Sequence, residues 1–427
     1  MSIKLLATSD LHLGRRSADL PANTAEGKTT YTWHKIVDLV LRESVDALLL
    51  TGDIIDEDNK YFEAVGPLKA GFEKLREANV EVFLVAGNHD YDVLPEIIGQ
   101  GRFPNVHLLG ADGRWESHLL SRNGVDLTLV GWSFPRRHVR EDPLLSFTVD
   151  ISPKSRFTIG LLHGDADVAD SVYAPLRLSG LRQQPVDAWV LGHIHKPTVY
   201  RGSLPLIFYP GSPHALSAAE PGVRGPVMLN LKHGQDIGHE TIPLSPVYYD
   251  DLIVDVTNMH HKSDLRGRIM EAIETKSHSL QKINDSLLYM VFTLYLEGEH
   301  PDGFSVETWV NPAEDDYLDD IIPGKSIKIR KVLNRIRPAI ENLEVLAKEP
   351  SLAGRLAETI LAIQKGESTA LLDEMLREWK LKTEQMQRSE TYIALKSYER
   401  ISEPDEKEGR LQLLQECRKL LSTLMHG

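Results

Sequence analysis

The chain has 427 residues, a formal net charge of −14 at pH 7 and a single cysteine. This length predicts two or three domains, and the acidic balance excludes a wholly basic nucleic-acid surface. No run approaches the roughly 18 uninterrupted apolar residues of a membrane span, so no membrane partner is expected. The single cysteine, Cys417, excludes an internal disulfide. Together with a start that reads as a strand and not as a secretory leader, it predicts a cytoplasmic protein.

Five apolar segments in the first half of the chain are predicted to be buried strands of an α/β fold. They cover residues 3–8, 47–50, 80–85, 157–162 and 188–191. Polar residues follow each of them: Asp10 and His12, then Asp53, then Asn88, His89 and Asp90, then His163, then His193 and His195. Loops at the carboxyl ends of strands lie together in one crevice, so these side chains are expected to meet.

The residue types at these strand ends indicate a metal site. Carboxylate, amide oxygen and imidazole nitrogen together suit Mn²⁺, Fe²⁺ or Zn²⁺. On an extended segment, the i, i+2 spacing of Asp10 and His12 places both side chains on one side. A carboxylate such as Asp53 can bridge two ions, and such a pair can clamp a phosphate and generate a hydroxide nucleophile. Each short motif alone is common in turns, but all five in order predict a dinuclear site.

The order of these motifs resembles the calcineurin-like metallophosphoesterase superfamily. Within it, the phrases at residues 191–197 (LGHIHKP) and 209–213 (YPGSP) resemble the SbcD-type DNA repair exonuclease family, in particular its YhaO-like bacterial branch. The resemblance implies a two-sheet α/β sandwich flanked by helices, a small α/β capping domain and a helical C-terminal region. It also implies a Mn²⁺-dependent DNA exonuclease or endonuclease that acts in double-strand-break repair.

The resemblance further implies roles for individual residues. One metal ion would be held by Asp10, His12, Asp53 and His195, and the other by Asp53, Asn88, His163 and His193. Asp53 would then bridge the two ions. His89 would act beside the scissile phosphate, stabilising charge or protonating the leaving oxygen. Asp90 would be a carboxylate that orients His89, although a plain turn residue is the alternative.

One position departs from the resemblance. DNA-degrading members commonly carry a histidine three residues after the bridging aspartate, where this chain has Asp56. A carboxylate repels phosphate, so Asp56 leaves the metal site intact but argues against efficient exonuclease action. A second explanation is that Asp56 serves as a helix cap or loop anchor.

Three parts are predicted along the chain: a metallophosphoesterase domain at residues 1–245, a capping domain at 246–330 and a helical region at 331–427. Helical spacing predicts helices over residues 30–44 and 61–78 in the first part. A proline-bearing linker ends it near residue 245. A strand, a helix and a strand are expected over residues 252–256, 265–275 and 287–296. From Pro338 onward the chain is expected to be helical, with Pro338 in a first turn.

Basic residues form local clusters in spite of the acidic total. Six of them lie between residues 325 and 337, and four more between 136 and 140: Lys325, Lys328, Arg330, Lys331, Arg335, Arg337, Arg136, Arg137, His138 and Arg140. Either these clusters track a phosphate backbone, or they are solvated charges that complement neighbouring acids.

Three functions are compatible with these patterns. The first is a DNA nuclease that acts on ends or single strands as a homodimer with an SMC-like coiled-coil ATPase of the SbcC type, which the C-terminal helices would bind. The second is a phosphodiesterase for a small nucleotide or other phosphoester, which Asp56 and the acidic balance favour. The third, a non-catalytic DNA-end scaffold, is weaker because every expected ligand position is filled.

Overall fold

The structure is a computed structural model that describes residues 2–426 apart from 60–62, 100, 169, 201, 203, 233, 281–285, 301–305, 307, 311–317, 319–320, 339–342 and 388–404. The described residues divide into two compact units, one formed by 1–250, 276–292 and 317–330, the other by 251–275, 293–316 and 331–427. The three-part division expected from the sequence stays a prediction.

Twelve strands of the first unit form two six-stranded sheets. Their bounds are β1 Ser2–Thr8, β2 Ala47–Thr51, β3 Glu81–Val85, β4 Val106–Leu108, β5 Glu116–Arg122, β6 Val125–Trp132, β7 Phe157–His163, β8 Ala188–Gly192, β9 Thr198–Tyr200, β10 Leu206–Tyr209, β11 Val227–Lys232 and β12 Gly238–Thr241. The first sheet has the order β12-β11-β1-β2-β3-β4, and the second has the order β5-β6-β7-β8-β10-β9.

Parallel pairing at the centre of each sheet determines where the strand ends lie. In the first sheet β1, β2, β3 and β4 run parallel, and β11 pairs antiparallel with β1. In the second sheet β6, β7, β8 and β10 run parallel. Within each sheet, the carboxyl ends of these parallel strands therefore share one edge.

The central strands are apolar throughout because both of their faces are buried. Leu5, Leu49 and Phe83 point inward to a core that also contains Leu129 and Val190 of the second sheet. Residues at alternate positions, such as Leu6, Leu48 and Leu84, face the helices on the outside of the first sheet. The second sheet packs its outer face on a separate apolar cluster around Trp189. The expected sandwich of two sheets flanked by helices is confirmed.

Four helices of the first unit cover the outer faces of the sheets: α1 Thr29–Arg42, α2 Val65–Glu77, α3 Val93–Ile98 and α4 Leu178–Gln183. Helix α1 matches the predicted helix closely, and α2 starts later than expected. Residue 61, where the second helix was predicted to begin, lies outside the described residues. The apolar stripe of α2, with Leu68, Phe72 and Leu75 buried, is the periodicity that predicted it.

The remaining elements are β13 Val247–Asp255, α5 Lys262–Ser279, β14 Tyr289–Glu297, β15 Glu299–His300, β16 Ser326–Asn334, β17 Arg337–Pro338, α6 Leu343–Leu346, α7 Leu352–Lys365, α8 Ala370–Gln387 and α9 Glu406–His426. Strands β13, β14 and β16 form a three-stranded sheet in that order, and β15 pairs with β17. The strand, helix and strand expected after the linker are present, with bounds that differ by a few residues.

The helical C-terminal region is confirmed, but its predicted start was wrong. Pro338 lies in the short strand β17, which pairs in parallel with β15 through His300, and not in a helical turn. Proline is tolerated in an edge strand because the missing N–H costs no ladder bond there. Cys417 is 2 % exposed and packs in an apolar cluster with Leu356 and Ile360, as expected for a buried thiol.

The helices in the described part of the chain were compared with the length and apolarity of a membrane span. None of the helices found there combines the length and the apolar character needed to cross a bilayer.

Candidate metal centre

The strand ends bring the predicted ligands into two adjacent clusters. Asp10, His12 and His195 form one, and Asp53, His163 and His193 form the other. Within each cluster, one potential ligand atom per residue lies within 4.8 Å of the others. The residues follow β1 and β2 in the first sheet and β7 and β8 in the second. The two sheets together, and not a single sheet, therefore build the site.

Asp53 lies between the two clusters. Its Oδ2 is 3.4 Å from His163 Nε2 and 3.9 Å from His12 Nε2, so one carboxylate oxygen faces a histidine of each cluster. The other oxygen, Oδ1, accepts a hydrogen bond of 3.0 Å from the backbone N–H of His89. Asn88 adds an amide oxygen 3.2 Å from His163 Nε2. The bridging role of Asp53 stays a prediction.

The first cluster holds two imidazole nitrogens in a geometry that suits a cation. Asp56 Oδ1 lies 3.1 Å from His12 Nδ1, and Glu220 Oε1 lies 2.5 Å from His195 Nδ1. Each carboxylate therefore accepts a hydrogen bond from the N–H group at Nδ1. In that tautomer the Nε2 atom of each ring carries the lone pair. These two Nε2 atoms are 3.1 Å apart. This is a hydrogen-bonding distance, and a cation bound at this point would take both nitrogens as ligands.

The rings of the second cluster are oriented in the same way. His163 Nδ1 donates to the backbone carbonyl of Thr51 at 2.9 Å, which leaves Nε2 facing Asp53 and Asn88. His193 Nε2 lies 3.4 Å from Asp165 Oδ1, which leaves Nδ1 for a ligand. A hydrogen-bonded second nitrogen is the usual way in which proteins fix the tautomer of a metal-binding histidine.

The charges of the site favour a cation. Burial opposes the charged form of His163, but the carboxylate of Asp53 outweighs it and raises the pKa of this ring to about 9. Burial likewise opposes ionisation of Asp53, and the neighbouring His163 reverses this, so the pKa of Asp53 lies well below its usual range. A carboxylate that stays ionised while almost fully buried carries a negative charge that attracts a metal ion.

Several of these residues have strained backbone. Asp10, His12, Asp53 and His193 have φ angles of 51°, 43°, 49° and 100°. Left-handed φ values are uncommon for residues other than glycine, and they cluster at functional sites. The extended geometry expected for Asp10 and His12 was therefore wrong, although the two side chains do converge. The sharp turn after each strand, and not alternation along it, turns them to the same side.

Glycines at the strand ends allow close approach of the backbone. A Cβ on Gly192 would lie 1.8 Å from the carbonyl oxygen of Thr51, and one on Gly87 would lie 2.2 Å from Asp53 Oδ1. Neither contact is possible for a larger residue. These two glycines let the ends of β3 and β8 pack against the loop that carries Asp53.

His89 lies at the rim of the site and is 27 % exposed at its side chain. Its Nε2 is 3.9 Å from Asp53 Oδ2, and its ring meets that of His12 edge-on at 4.9 Å. Burial lowers the pKa of His89, which favours the neutral ring. Within the described structure, Nδ1 of His89 has no hydrogen-bond partner.

The orienting role expected for Asp90 does not match its contacts. Asp90 Oδ1 accepts from Gly87 N at 2.8 Å, and Oδ2 accepts from Ile54 N at 2.6 Å and Ile55 N at 3.2 Å. These bonds tie the loop after β3 to the loop after β2. Burial and the nearby charge of Asp53 raise the pKa of Asp90 to about 7. The carboxylate is engaged by backbone amides, so it stabilises the loops and leaves the His89 ring unanchored.

Three carboxylates contact the histidines of the site, and the sequence did not predict these contacts. Asp56 was interpreted either as a source of repulsion or as a helix cap or loop anchor, and its contact with His12 was not expected; it is 4 % exposed and its Oδ1 lies 3.1 Å from His12 Nδ1. Glu220 was not noticed, because a single glutamate far from any motif carries no sequence signal. Asp165 follows His163-Gly164 directly, and this adjacency was the one signal that pointed to it.

The basic cluster between residues 325 and 337 lies on β16 and β17 and is largely paired with the protein's own acceptors. Lys328 Nζ donates to the carbonyl of Asp19 at 2.6 Å, and Arg330 Nε lies 3.2 Å from the Asp19 carboxylate. Arg335 lies 3.2 Å from Glu297, and Arg337 lies 3.9 Å from Glu299. These contacts favour the second explanation of the cluster, in which its cations complement neighbouring acids.

Comparison with known proteins identifies the fold that carries this site. Residues 3–197 match the family model described as calcineurin-like phosphoesterase. This part of the chain, less than half of its length, is similar to the calcineurin-like phosphoesterases. The superfamily resemblance seen in the sequence is thereby confirmed, and the two clusters described above lie at the strand ends of this phosphoesterase fold.

Three curated proteins are similar to this chain. It is 28 % identical over 294 residues to the uncharacterized metallophosphoesterase YhaO of Bacillus subtilis, covering 67 % of each chain. It is 24 % identical over 241 residues to the DNA double-strand break repair protein Mre11 of Methanopyrus kandleri, covering 51 % of this chain and 50 % of that one. It is 23 % identical over 287 residues to the SbcD component of the nuclease SbcCD of Bacillus subtilis, covering 57 % of this chain and 70 % of that one.

Proposed function

We propose that this phosphoesterase is a dinuclear-metal phosphodiesterase that cleaves DNA at ends or in single strands. The observation that carries the proposal is the pair of adjacent clusters whose histidines His12 and His163 both face the Oδ2 atom of Asp53. A site for two cations joined by one carboxylate suits in-line displacement at a phosphodiester. Relatives whose names state DNA double-strand break repair and nuclease activity support DNA as the substrate.

The donor set fits two divalent ions, and we propose Mn²⁺. Asp10, His12, Asp53 and His195 would hold one ion, and Asp53, Asn88, His163 and His193 the other. When bound, two such ions polarise a phosphoryl oxygen and lower the pKa of a coordinated water. The chain's own part is to present lone pairs in a fixed orientation, which Asp56, Glu220, Asp165 and the Thr51 carbonyl achieve by holding the far side of each ring.

His89 is proposed to act on the substrate and not to bind metal. Its ring borders both clusters, and its Nε2 lies at the exposed rim near Asp53. From there the neutral ring can donate a hydrogen bond to a phosphate oxygen or to the departing oxygen. Removal of a positioned acid of this kind typically costs about 10²–10⁴-fold in rate.

The partner proposed for the C-terminal helices is an SMC-like coiled-coil ATPase of the SbcC type, with the phosphoesterase acting as a homodimer in the cytoplasm. The similarity to the SbcD component of SbcCD supports the partner. Large apolar side chains remain exposed on the helices: Leu381 is 59 % exposed, Leu411 59 % and Leu424 47 %. Copurification of the chain with the coiled-coil ATPase of the same organism tests the pairing, and failure of the two to copurify would contradict it.

The proposal is tested with purified protein supplied with Mn²⁺ after chelation. The substrates are bis(p-nitrophenyl) phosphate, single-stranded DNA and linear duplex DNA. Asp53→Asn is expected to abolish hydrolysis of all three and to lower bound metal, because both clusters lose their shared carboxylate. Asp38→Asn, an exposed carboxylate on α1, is the matched control. Full activity of Asp53→Asn with two ions still bound would refute the dinuclear mechanism.

A second candidate is a phosphodiesterase for small nucleotides. The pairing of Lys328, Arg330, Arg335 and Arg337 with the protein's own acceptors favours it, because these cations are then not free for a DNA backbone. Cyclic dinucleotides included in the same assay discriminate the two. Hydrolysis of cyclic dinucleotides without hydrolysis of either DNA substrate would establish the second candidate.

A further inference from the structure

A cavity of about 440 Å³ lies between two loops of the first unit. Its lining residues are Arg140, Glu141, Asp142, Leu145, Asp167, Val168, Pro175, Leu176 and Arg177. The loop of residues 139–145 follows β6, and the loop of residues 165–177 follows β7. The second loop contains Asp165, which contacts His193 of the candidate metal centre.

The two loops are held together and border the second cluster. Val139 N donates to Val172 O at 2.8 Å, and Ala174 N donates to Val139 O at 2.8 Å. The Tyr173 ring lies 4.8 Å from the His193 ring. Asp167 lines the cavity two residues after Asp165, which contacts His193. Two residues of chain span at most about 7 Å, so the cavity begins a short distance from the metal ligands.

In the part of the chain that the structure describes, the cavity is lined by three carboxylates that have partners and by two arginines that lack them. Glu141 pairs with Arg136 at 3.4 Å. Asp142 and Asp167 accept backbone N–H groups at 2.9 Å and 3.2 Å. Among the described residues, no carboxylate or carbonyl contacts the guanidinium of Arg140 or Arg177. Two exposed guanidinium groups therefore face one cavity without internal partners, unlike the paired arginines of β16 and β17.

Two of the apolar residues that line the cavity are exposed. Leu145 is 84 % exposed and Val168 is 47 % exposed. The exposed side chains of Leu145 and Val168 lie in the same cavity as the unpaired guanidinium groups. Such a cavity suits a ligand that has one flat apolar part and one anionic part. A nucleotide has both, since its base stacks on apolar surface and its phosphate accepts bidentate hydrogen bonds from arginine.

We propose that this cavity, defined by Arg140, Leu145, Val168 and Arg177, binds a nucleotide unit of a single strand that flanks the phosphodiester at the metal centre. The inference rests on the proposed phosphodiesterase function and names the part of the substrate that the metal ligands do not contact.

The binding test uses chelator-treated protein and a fluorescein-labelled single-stranded oligonucleotide, followed by anisotropy at several salt concentrations. Arg140→Ala/Arg177→Ala is expected to raise Kd about tenfold. It is also expected to flatten the plot of log K against log salt by about 0.7, because the contact to one phosphate of a single strand is lost. Arg42→Ala, an exposed arginine paired with Glu43 on α1, is the matched control and should change neither quantity.

A second variant tests the apolar part of the site. Leu145→Asn is expected to weaken binding of a base-bearing strand several-fold and to leave binding of an abasic strand unchanged. Equal effects on both strands, or an effect of Arg42→Ala as large as that of the double variant, would overturn the inference. So would an unchanged Kd and salt slope in the double variant.

Hydrolysis of bis(p-nitrophenyl) phosphate separates this inference from the function on which it rests. This substrate is too short to reach the cavity from the metal centre, so the double variant should hydrolyse it at the wild-type rate. If wild-type protein fails to hydrolyse any phosphodiester, the proposed function fails, whatever the anisotropy shows. If wild-type protein is active and the double variant binds and cleaves oligonucleotides normally, only the cavity assignment fails.

Discussion

His214 is a fully buried histidine outside the metal centre, and its environment makes a quantitative prediction about stability. It is 1 % exposed, and its ring is satisfied on both sides. Thr32 Oγ1 donates to Nδ1 at 2.7 Å, and Nε2 donates to Ser17 Oγ at 2.9 Å and to Gly27 O at 3.2 Å. This network uses the neutral ring, and burial lowers the pKa of His214 to about 4 from the usual 6.5.

The sign and size of the pH effect follow from linkage. The unfolded chain binds a proton at His214 below about pH 6.5, and the folded chain does so only below about pH 4. Stability contributed by the neutral ring is therefore complete above pH 6.5 and is lost as the pH falls towards 4. At about 1.36 kcal/mol per pKa unit, the full loss is about 3 kcal/mol, and about 2 kcal/mol is already lost at pH 5.

The perturbation is His214→Asn, compared with wild type by urea unfolding at pH 7.5 and pH 5.0. Both proteins share every other titrating group, so the difference between their pH losses isolates His214. Wild type is expected to lose about 2 kcal/mol more than the variant between the two pH values. His34→Asn, at an exposed position on α1, is the control and should lose as much as wild type. Equal losses for wild type and His214→Asn, within about 0.5 kcal/mol, would refute the reasoning. If the variant fails to fold, the pKa of the His214 ring is measured in the wild-type protein by NMR titration. Protonation of this ring near pH 6.5 in the folded protein would also refute the reasoning.

Three further predictions concern the site and the C-terminal helices. Glu220→Ala removes the acceptor that orients His195 and should weaken metal binding about 10–100-fold in a chelator competition, while unchanged affinity would contradict its orienting role. His89→Gln should keep full metal content by elemental analysis and lower kcat about 10²–10⁴-fold; loss of an ion would instead make His89 a ligand. Ser351→Ala removes the N-cap of α7, whose hydroxyl accepts from Gly354 N at 2.9 Å, and should lower the free energy of unfolding of that unit by about 1 kcal/mol. A loss below about 0.3 kcal/mol, measured by urea unfolding, would show that the cap contributes little.

Local sequence pattern was enough to locate the central strands and the polar residues that follow them. Strands such as β2 and β8 are buried on both faces, so their apolar runs stand out locally, and a polar residue at their end interrupts the pattern. That is why Asp53 and His193 could be singled out without coordinates. Helices with a clear apolar stripe, such as α2 and α7, were predicted for the same reason: the signal lies within one element.

The contacts of these residues depend on tertiary structure. Asp56 lies 44 positions from His12, and Glu220 lies 25 positions from His195. A carboxylate carries no local sign of which histidine it will meet. The left-handed φ of Asp10 and His12 depends on how the loops after β1 and β2 pack. The apolar pattern of a strand or helix follows from the burial of that one element. The hydrogen-bond partners of the site residues depend instead on which loops the two sheets bring together.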